Sequence, residues 1–330
     1  MSTPLHFPQH ILPIYHPTTV AFIDDQPAWL DILSTQLPDD IAFECFHTPR
    51  NALQKINKER NVTTSSFADY RNPEYLLREG YTTDFDCFSQ ALSGADRFSD
   101  ISVVIVDFHM PDMNGLEFCQ RINNRNIRKI ILTDMVNENI AMKALNDGVI
   151  DGFVRKSEKD MAGKLLPMIR AAQKEYFFRS SANVDSLKES RLQFLQDEDF
   201  IALFRSLCQK HGVAEHYVSA NPNGIAMLDL EANVTFLAIF TENDLQSHYK
   251  IARDRQAPHA LLSALASRQF VFWQGFSGAY TDQCNDWISA LYPVQRIHEN
   301  SNLFYALIDG WPGTTDPYIS PYYEYLEALH

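Results

Sequence analysis

The stretch ISVVIVDFHMPDMNGLEF, residues 101–118, decides the fold. Its first seven residues are almost wholly apolar and end in Asp107. A strand with one face in water alternates apolar and polar side chains, so an unbroken run fits a parallel strand covered on both faces. Pro111, Asn114 and Gly115 then mark a turn, and 115–122 take up helical spacing. Strand, turn and helix in that order make one unit of an α/β sheet, and the flanking sequence repeats it. Residues 18–25 (TTVAFIDD) are an apolar run ending in two acids, after which Pro27 starts a helix with Leu30, Leu33 and Leu37 on one side. Residues 41–47 (IAFECFH) alternate as a strand does, and 49–60 return to helical spacing. Downstream, 130–132 form another apolar core run, 137–147 a helix that Gly148 stops, and 152–156 (GFVRK) a last strand. Ser157 and Asp160 are spaced as a capping box opening a helix with Met161, Leu165, Met168, Ile169, Ala172 and Tyr176 on one stripe, in which Pro167 predicts a kink. Five strands alternating with five helices predict a doubly wound, five-stranded parallel sheet.

One segment interrupts the alternation. Residues 61–100 stand where a connection of about 2–6 residues would do. With Phe67, Tyr70, Tyr75, Tyr81, Phe85, Phe88 and Phe98, they are too aromatic for a disordered loop. They read as an insertion that either covers a sheet face or offers a dimer or partner surface. The whole chain has 330 residues, enough for two domains. Residues 1–17 form an N-terminal extension, 18–176 the α/β domain with its insertion, 177–212 a helical linker, and 213–330 a second domain. In the linker, helical spacing runs from Leu192 to His211 and Gly212 stops it. Beyond it, strand-like runs fall at 216–220, 224–230, 234–240, 269–274, 288–294 and 303–309, with helical stretches at 243–254 and 259–268. That order predicts an α+β domain on an antiparallel sheet.

Composition excludes several function classes. The 28 Lys+Arg against 42 Asp+Glu give a formal charge of −14. From Gly212 onward there are five basic and thirteen acidic residues, a poor basis for phosphate contacts, so direct DNA binding is not expected. No apolar run approaches the roughly 18 residues a membrane helix needs, and the first 17 residues lack the pattern of a secretory signal. The five cysteines are scattered and never spaced as CxxC, which points to reduced thiols and a cytoplasmic setting. The eleven histidines show no HExxH spacing, and the chain has no GxGxxG, Walker A or GxSxG motif.

Chemistry gathers instead at the strand ends. Asp24 and Asp25 close the first strand, Asp107 the third, Thr133 the fourth and Lys156 the fifth. In a parallel sheet these ends share one edge, where α/β proteins place their working sites. Three carboxylates brought together repel one another, at several kcal/mol per close pair for an effective dielectric near about 20. A hard divalent cation with oxygen ligands relieves that repulsion, Mg²⁺ being the usual one where phosphates are handled. A carboxylate beside Mg²⁺, a hydroxyl and an ammonium is equipped to accept a phosphoryl group.

With these motifs in view, residues 18–176 resemble the receiver domain of bacterial two-component response regulators. The matching pieces are AFIDD (21–25), VVIVDFHMPDMNGLEF (103–118), IILTD (130–134) and GFVRK (152–156), in order and at the family's spacing apart from the insertion. The resemblance implies Asp107 as phosphoacceptor, Asp25 as direct Mg²⁺ ligand, Asp24 as an acid acting through water, and the backbone carbonyl of His109 as a third protein ligand. It implies Thr133 as the switch hydroxyl, Lys156 as its ionic partner and Phe153 as the aromatic rotamer switch. It also implies a sensor histidine kinase as phosphodonor and a homodimer on phosphorylation, with no enzymatic activity beyond slow autodephosphorylation. Two positions depart from the family pattern: Asp134 stands where a small residue is usual, and Ser157 where a proline commonly follows the lysine. They leave open a degenerate receiver that acts as a phosphorylation-independent interaction module.

In the second domain, 214–240 are similar to the first hairpin of PAS-like sensor folds. They are also similar to output domains of response regulators in α-hydroxyketone quorum-sensing circuits. Protein contact and small-molecule sensing both stay open for this domain. Phe270, Phe272, Trp273 and Phe276 suit a core or a ligand cavity, and the tail bearing Tyr318, Tyr322, Tyr323, Tyr325 and Leu326 is expected to pack back onto this domain.

Overall fold

A computed structural model describes residues 11–58, 92–133, 138–180, 192–220, 222–273, 287–310 and 318–329. Residues 61–91 of the insertion, Asp134, Phe276 and 181–191 of the linker lie outside them. The described residues divide into two units, one drawn from 15–58, 95–180 and 321–329, the other from 11–14, 92–94 and 192–320.

After a two-residue strand, β1 (Ile14–Tyr15), the first unit opens with β2 (Thr19–Ile23), α1 (Pro27–Gln36), β3 (Phe43–Phe46) and α2 (Pro49–Ile56). It continues with β4 (Ile101–Asp107), α3 (Gly115–Gln120), β5 (Arg128–Thr133), α4 (Glu138–Asn146), β6 (Gly152–Arg155) and α5 (Met161–Ser180). The strands are all parallel, in the order β3-β2-β4-β5-β6. β4 lies in the middle and is buried from Ser102 to Asp107, which is why its sequence shows no alternation. Val20, Phe22, Val103, Ile105, Ile130, Leu132 and Val154 form one face of the sheet, and Leu30 and Leu33 of α1 with Met161, Leu165 and Ile169 of α5 cover it. Each such side chain contributes about 1.5–3 kcal/mol of burial.

Several boundaries differ from the sequence reading for local reasons. α2 stops at Ile56 because Asn57 turns its side chain to the end of α3, donating to the Arg121 carbonyl at 2.7 Å and accepting from Asn123 N–H at 2.9 Å. Asp160, not Ser157, caps α5: its Oδ1 accepts from Gly163 N–H at 3.2 Å. The helix begins at Met161, so its first free amides lie beyond the reach of a cap at Ser157. α5 continues through Pro167.

In the second unit, a short 3₁₀ turn (Gln193–Gln196) precedes α6 (Glu198–Lys210). The expected single helix is thus split at Asp197, whose side chain accepts from Phe200 N–H and starts α6 afresh. Gly212, at φ 60°, supplies the left-handed residue after α6. There follow β7 (Glu215–Ala220), β8 (Asn223–Leu228), β9 (Val234–Thr241), α7 (Glu242–Asp254), α8 (His259–Ala266), β10 (Phe270–Phe272), β11 (Leu291–Pro293), β12 (Gln295–Arg296) and β13 (Leu303–Asp309). One six-stranded sheet runs β1-β7-β8-β9-β13-β12, antiparallel from β7 to β12. The N-terminal extension therefore supplies a strand that its proline-rich sequence conceals. β10 and β11 form a separate two-stranded ladder, and Phe272 is buried there with Ala252, Leu261 and Leu265 of α7 and α8, a core role.

The last helix, α9 (Tyr322–Leu329), corrects the reading of the tail. It belongs with the parallel-sheet unit, where Tyr322, Tyr325, Leu326 and Leu329 pack with Ala42 and Phe98. Among the described residues no helix is long and apolar enough to cross a membrane.

Candidate functional site

Sheet register brings the distinctive residues together. Ile23 of β2 lies level with Val106 of β4, so Asp24, the next residue, comes beside Asp107. Asp107 is level with Leu132, and Thr133 with Arg155, which places Lys156 just past the end of β6. The Lys156 N–H donates to the Thr133 carbonyl at 3.1 Å and closes that corner. The turn after Asp107 is equally constrained. A Cβ on Gly115 would lie 2.5 Å from the Asp107 carbonyl oxygen, so only glycine lets α3 begin this close to the strand end. Asn114 caps α3 through its side chain, accepting from Glu117 N–H at 2.9 Å.

Asp24, Asp25 and Asp107 each offer a carboxylate oxygen, all within 4.8 Å of one another. Lys156 enters this group directly: its Nζ lies 2.6 Å from Asp24 Oδ2 and 3.0 Å from Asp107 Oδ1. The three side chains are only 8%, 3% and 7% exposed. Burial pushes the Asp107 carboxyl above its ordinary value, with the hydrogen bond and charge of Lys156 pulling the other way and the negative Asp24 adding to the rise. For Lys156, burial acts to lower the value, but the hydrogen bonds and charges of the two aspartates outweigh it and hold the ammonium protonated. Asp24 is engaged on both oxygens, since Oδ1 accepts from Gln26 N–H at 3.0 Å. Asp25 differs. Its Oδ1 is buried and, among the described residues, has no hydrogen-bond partner.

An anionic oxygen sealed from water without a donor is costly. A hard cation is the partner that such an oxygen, flanked by two more carboxylates, would take. One lysine against three acids leaves the cluster short of positive charge, so the residues present fit a divalent ion. Lys156 and the buried Thr133 add two donor groups at the same edge.

The other expected residues are distributed around this core. Phe153, on β6, is half-buried. The His109 ring is exposed and meets Phe108 edge-on, with centroids 4.7 Å apart. Sequence reasoning did not foresee the direct pairing of Lys156 with Asp24. Trp29, which its place in the first turn of α1 five residues after Asp24 puts near the acidic pair, has its ring centroid 5.4 Å from Lys156 Nζ.

The family model of the response regulator receiver domain matches residues 72–166, which include Asp107, Thr133 and Lys156. Among solved structures, that of the Legionella pneumophila response regulator LqsR is 32% identical and covers 97% of this chain and 97% of its own, with a TM-score of 0.73. An adenylate cyclase from Rhodopirellula baltica matches 53% of this chain and 99% of its own at 19% identity and a TM-score of 0.35. The signal receiver domain of an HD domain-containing protein from Pseudomonas fluorescens Pf-5 matches 51% and 96% at 18% identity and 0.34. No curated protein matches the chain. Nearly one residue in three is shared with a response regulator over almost the full length of both chains, and the receiver motifs lie at one sheet edge: the chain belongs to the response regulator family.

Proposed function

We propose that this response regulator takes a phosphoryl group on Asp107 from a sensor histidine kinase in a Mg²⁺-dependent step. The observation that carries the reading is the gathering of ligand oxygens of Asp24, Asp25 and Asp107 within 4.8 Å, with a buried oxygen on Asp25 that has no partner among the described residues. Asp24, Asp25, Asp107 and the His109 carbonyl would hold the ion, which when bound supplies the positive charge that lets an anionic phosphoryl group approach an anionic nucleophile. An Asp107 carboxylate oxygen attacks the phosphorus of a phosphohistidine. The new O–P bond makes an acyl phosphate as the N–P bond breaks and the histidine leaves. Lys156 already sits at 3.0 Å from Asp107 and supplies an ammonium for the phosphoryl oxygens. Thr133, at the end of β5, supplies the hydroxyl that follows the phosphoryl group, and Phe153 the ring whose rotamer changes with it.

Residues 18–176 act as the receiver and 213 onward as the output domain, with 177–212 as linker and 1–17 as an extension; the tail from 321 belongs physically to the receiver unit. Phosphorylation switches homodimerisation and output-domain contacts with protein or small-molecule partners. The acidity of the C-terminal third supports an output without DNA contact, and the scattered thiols support a cytoplasmic setting. The likeness of 214–240 to output domains of α-hydroxyketone circuits supports a place in quorum sensing. The chain acts as phosphoacceptor and turns over only through slow autodephosphorylation.

Incubation of the full chain with acetyl phosphate and Mg²⁺ tests the reading. Wild type is expected to take up acid-stable, hydroxylamine-sensitive label, and Asp107→Asn to take up none. Equal labelling of the variant would overturn the assignment.

A further inference from the structure

We propose that Trp29 is a positioning residue for Lys156: its indole face holds the ammonium between Asp24 and Asp107, the task for which related receivers commonly rely on a proline after the lysine. The inference rests on the reading of Asp107 as phosphoacceptor and deepens it.

Lys156 is followed by Ser157, so no pyrrolidine ring restrains the chain that carries it. Ser157 is exposed, and the cap of the following helix is Asp160. Nothing immediately after the lysine in sequence therefore aims a flexible four-carbon side chain at two carboxylates. The structure supplies a partner from the opposite side of the site. Pro27 starts α1 two residues after Asp25, so Trp29 falls within the first turn, where its backbone N–H is held by the Gln26 carbonyl at 3.0 Å. Its ring packs against the buried cluster of β2, β4, β5 and β6, and Lys156 Nζ stands 5.4 Å from the ring centroid. That is within the roughly 6 Å over which a ring face attracts an ammonium, and the attraction grows where water is excluded, as it is around this lysine.

The indole nitrogen adds an independent sign. Among the described residues, the buried Trp29 Nε1 donates to no acceptor. A hydrogen bond therefore does not set the ring's orientation; packing and the face turned to Lys156 do. A phenyl ring would keep an aromatic face for the ammonium, at a somewhat weaker attraction, while an aliphatic side chain would fill space and leave the ammonium unguided.

The test uses the full chain with Trp29→Leu, Trp29→Phe, Lys156→Met and the double variant Trp29→Leu/Lys156→Met. With acetyl phosphate and Mg²⁺, Trp29→Leu is expected to slow labelling about tenfold, the scale of a desolvated cation–π contact, and Trp29→Phe to stay within about twofold of wild type. Metal-free urea unfolding supplies a second reading that needs no phosphoryl chemistry. There Trp29→Leu is expected to lower the midpoint in the Lys156 protein more than in the Lys156→Met protein. The proposal is overturned if Trp29→Leu labels as fast as wild type, if Trp29→Phe is as slow as Trp29→Leu, or if the midpoint shifts add. Should wild type take no label, or Asp107→Asn as much, the phosphoacceptor reading falls. The unfolding cycle then still decides whether Trp29 and Lys156 are coupled.

Discussion

The two sheets handle buried titratable side chains in opposite ways. In the parallel sheet every strand points the same way, so Asp24, Asp107, Thr133 and Lys156 arrive at one edge and form an unfinished set: three acids, one lysine and an oxygen on Asp25 without a partner among the described residues. In the antiparallel sheet successive strands end at opposite edges, and the buried titratable side chains of β7, Glu215 and His216, are answered locally. Glu215 accepts from the Tyr217 hydroxyl two residues on at 2.6 Å, and His216 Nε2 donates to the Leu12 carbonyl at 2.8 Å. Unsatisfied charge collected by topology marks a place that waits for a ligand. Charge satisfied by its own strand and its neighbour marks a core.

If that contrast holds, the largest effect is a pH dependence of the second unit that has nothing to do with phosphate chemistry. Burial pushes the His216 imidazole down to about 4, with the Leu12 hydrogen bond opposing, and the Phe204 ring stands edge-on to it. The folded value lies below the unfolded one of about 6.5, so the contribution of neutral His216 is complete above that pH. As pH falls from about 6.5 towards 4, the unfolded chain binds a proton the folded chain refuses, and roughly 3 kcal/mol is lost. Urea midpoints of wild type should fall over that window. His216→Gln, which cannot titrate, should show a flatter profile. Parallel profiles for the two proteins would mean that His216 is not the buried neutral group described here.

The next effect sharpens the contrast from the site's side. Gly115→Ala forces a methyl against the Asp107 carbonyl, and backbone cannot swing aside as a side-chain end can. A cost of about 1–3 kcal/mol is expected in denaturant unfolding, together with slower labelling of Asp107 because the strand end carrying it must shift. Unchanged stability and unchanged labelling would show that the turn does not register Asp107.

The same contrast explains what the sequence could disclose. β4 was readable because its burial on both faces leaves no alternation to misread, and Asp107, Asp24 and Lys156 were readable because a parallel sheet converts strand ends into neighbours. The antiparallel strands were readable from their alternation; β13, for instance, falls at the expected 303–309. Features decided by contacts between distant segments were not. Nothing in Ser157-x-x-Asp160 says which residue reaches the first free amides; that depends on where α5 begins. Nothing near Asp24 says that Lys156, 132 residues away, will take its Oδ2. The strand made by Ile14 and the docking of α9 depend on partners hundreds of residues off, and local pattern carries no trace of them.

The smallest effect concerns that docking. Tyr322 and Tyr325 pack over Phe98, at ring-centroid distances of 4.9 and 5.6 Å. The Tyr322 hydroxyl accepts from Ala42 N–H at 2.9 Å and donates to the Asp40 carbonyl at 3.2 Å. Thr19 spends its only proton on the Phe98 carbonyl, so at 2.8 Å the Tyr325 hydroxyl must be the donor to Thr19 Oγ1. These bonds lie at the amino-terminal ends of β2 and β3, the edge opposite the acidic cluster. Tyr322→Phe keeps the ring and removes the oxygen, leaving the Ala42 amide buried without an acceptor, which costs about 1–3 kcal/mol. Denaturant unfolding of the full chain should register that loss, while labelling of Asp107 under native conditions should stay at the wild-type rate because the site edge is untouched. A variant that kept its stability would show that α9 rests on the receiver unit through its apolar side chains alone. One that lost labelling as well would break the separation of the two strand edges on which the reading of the site depends.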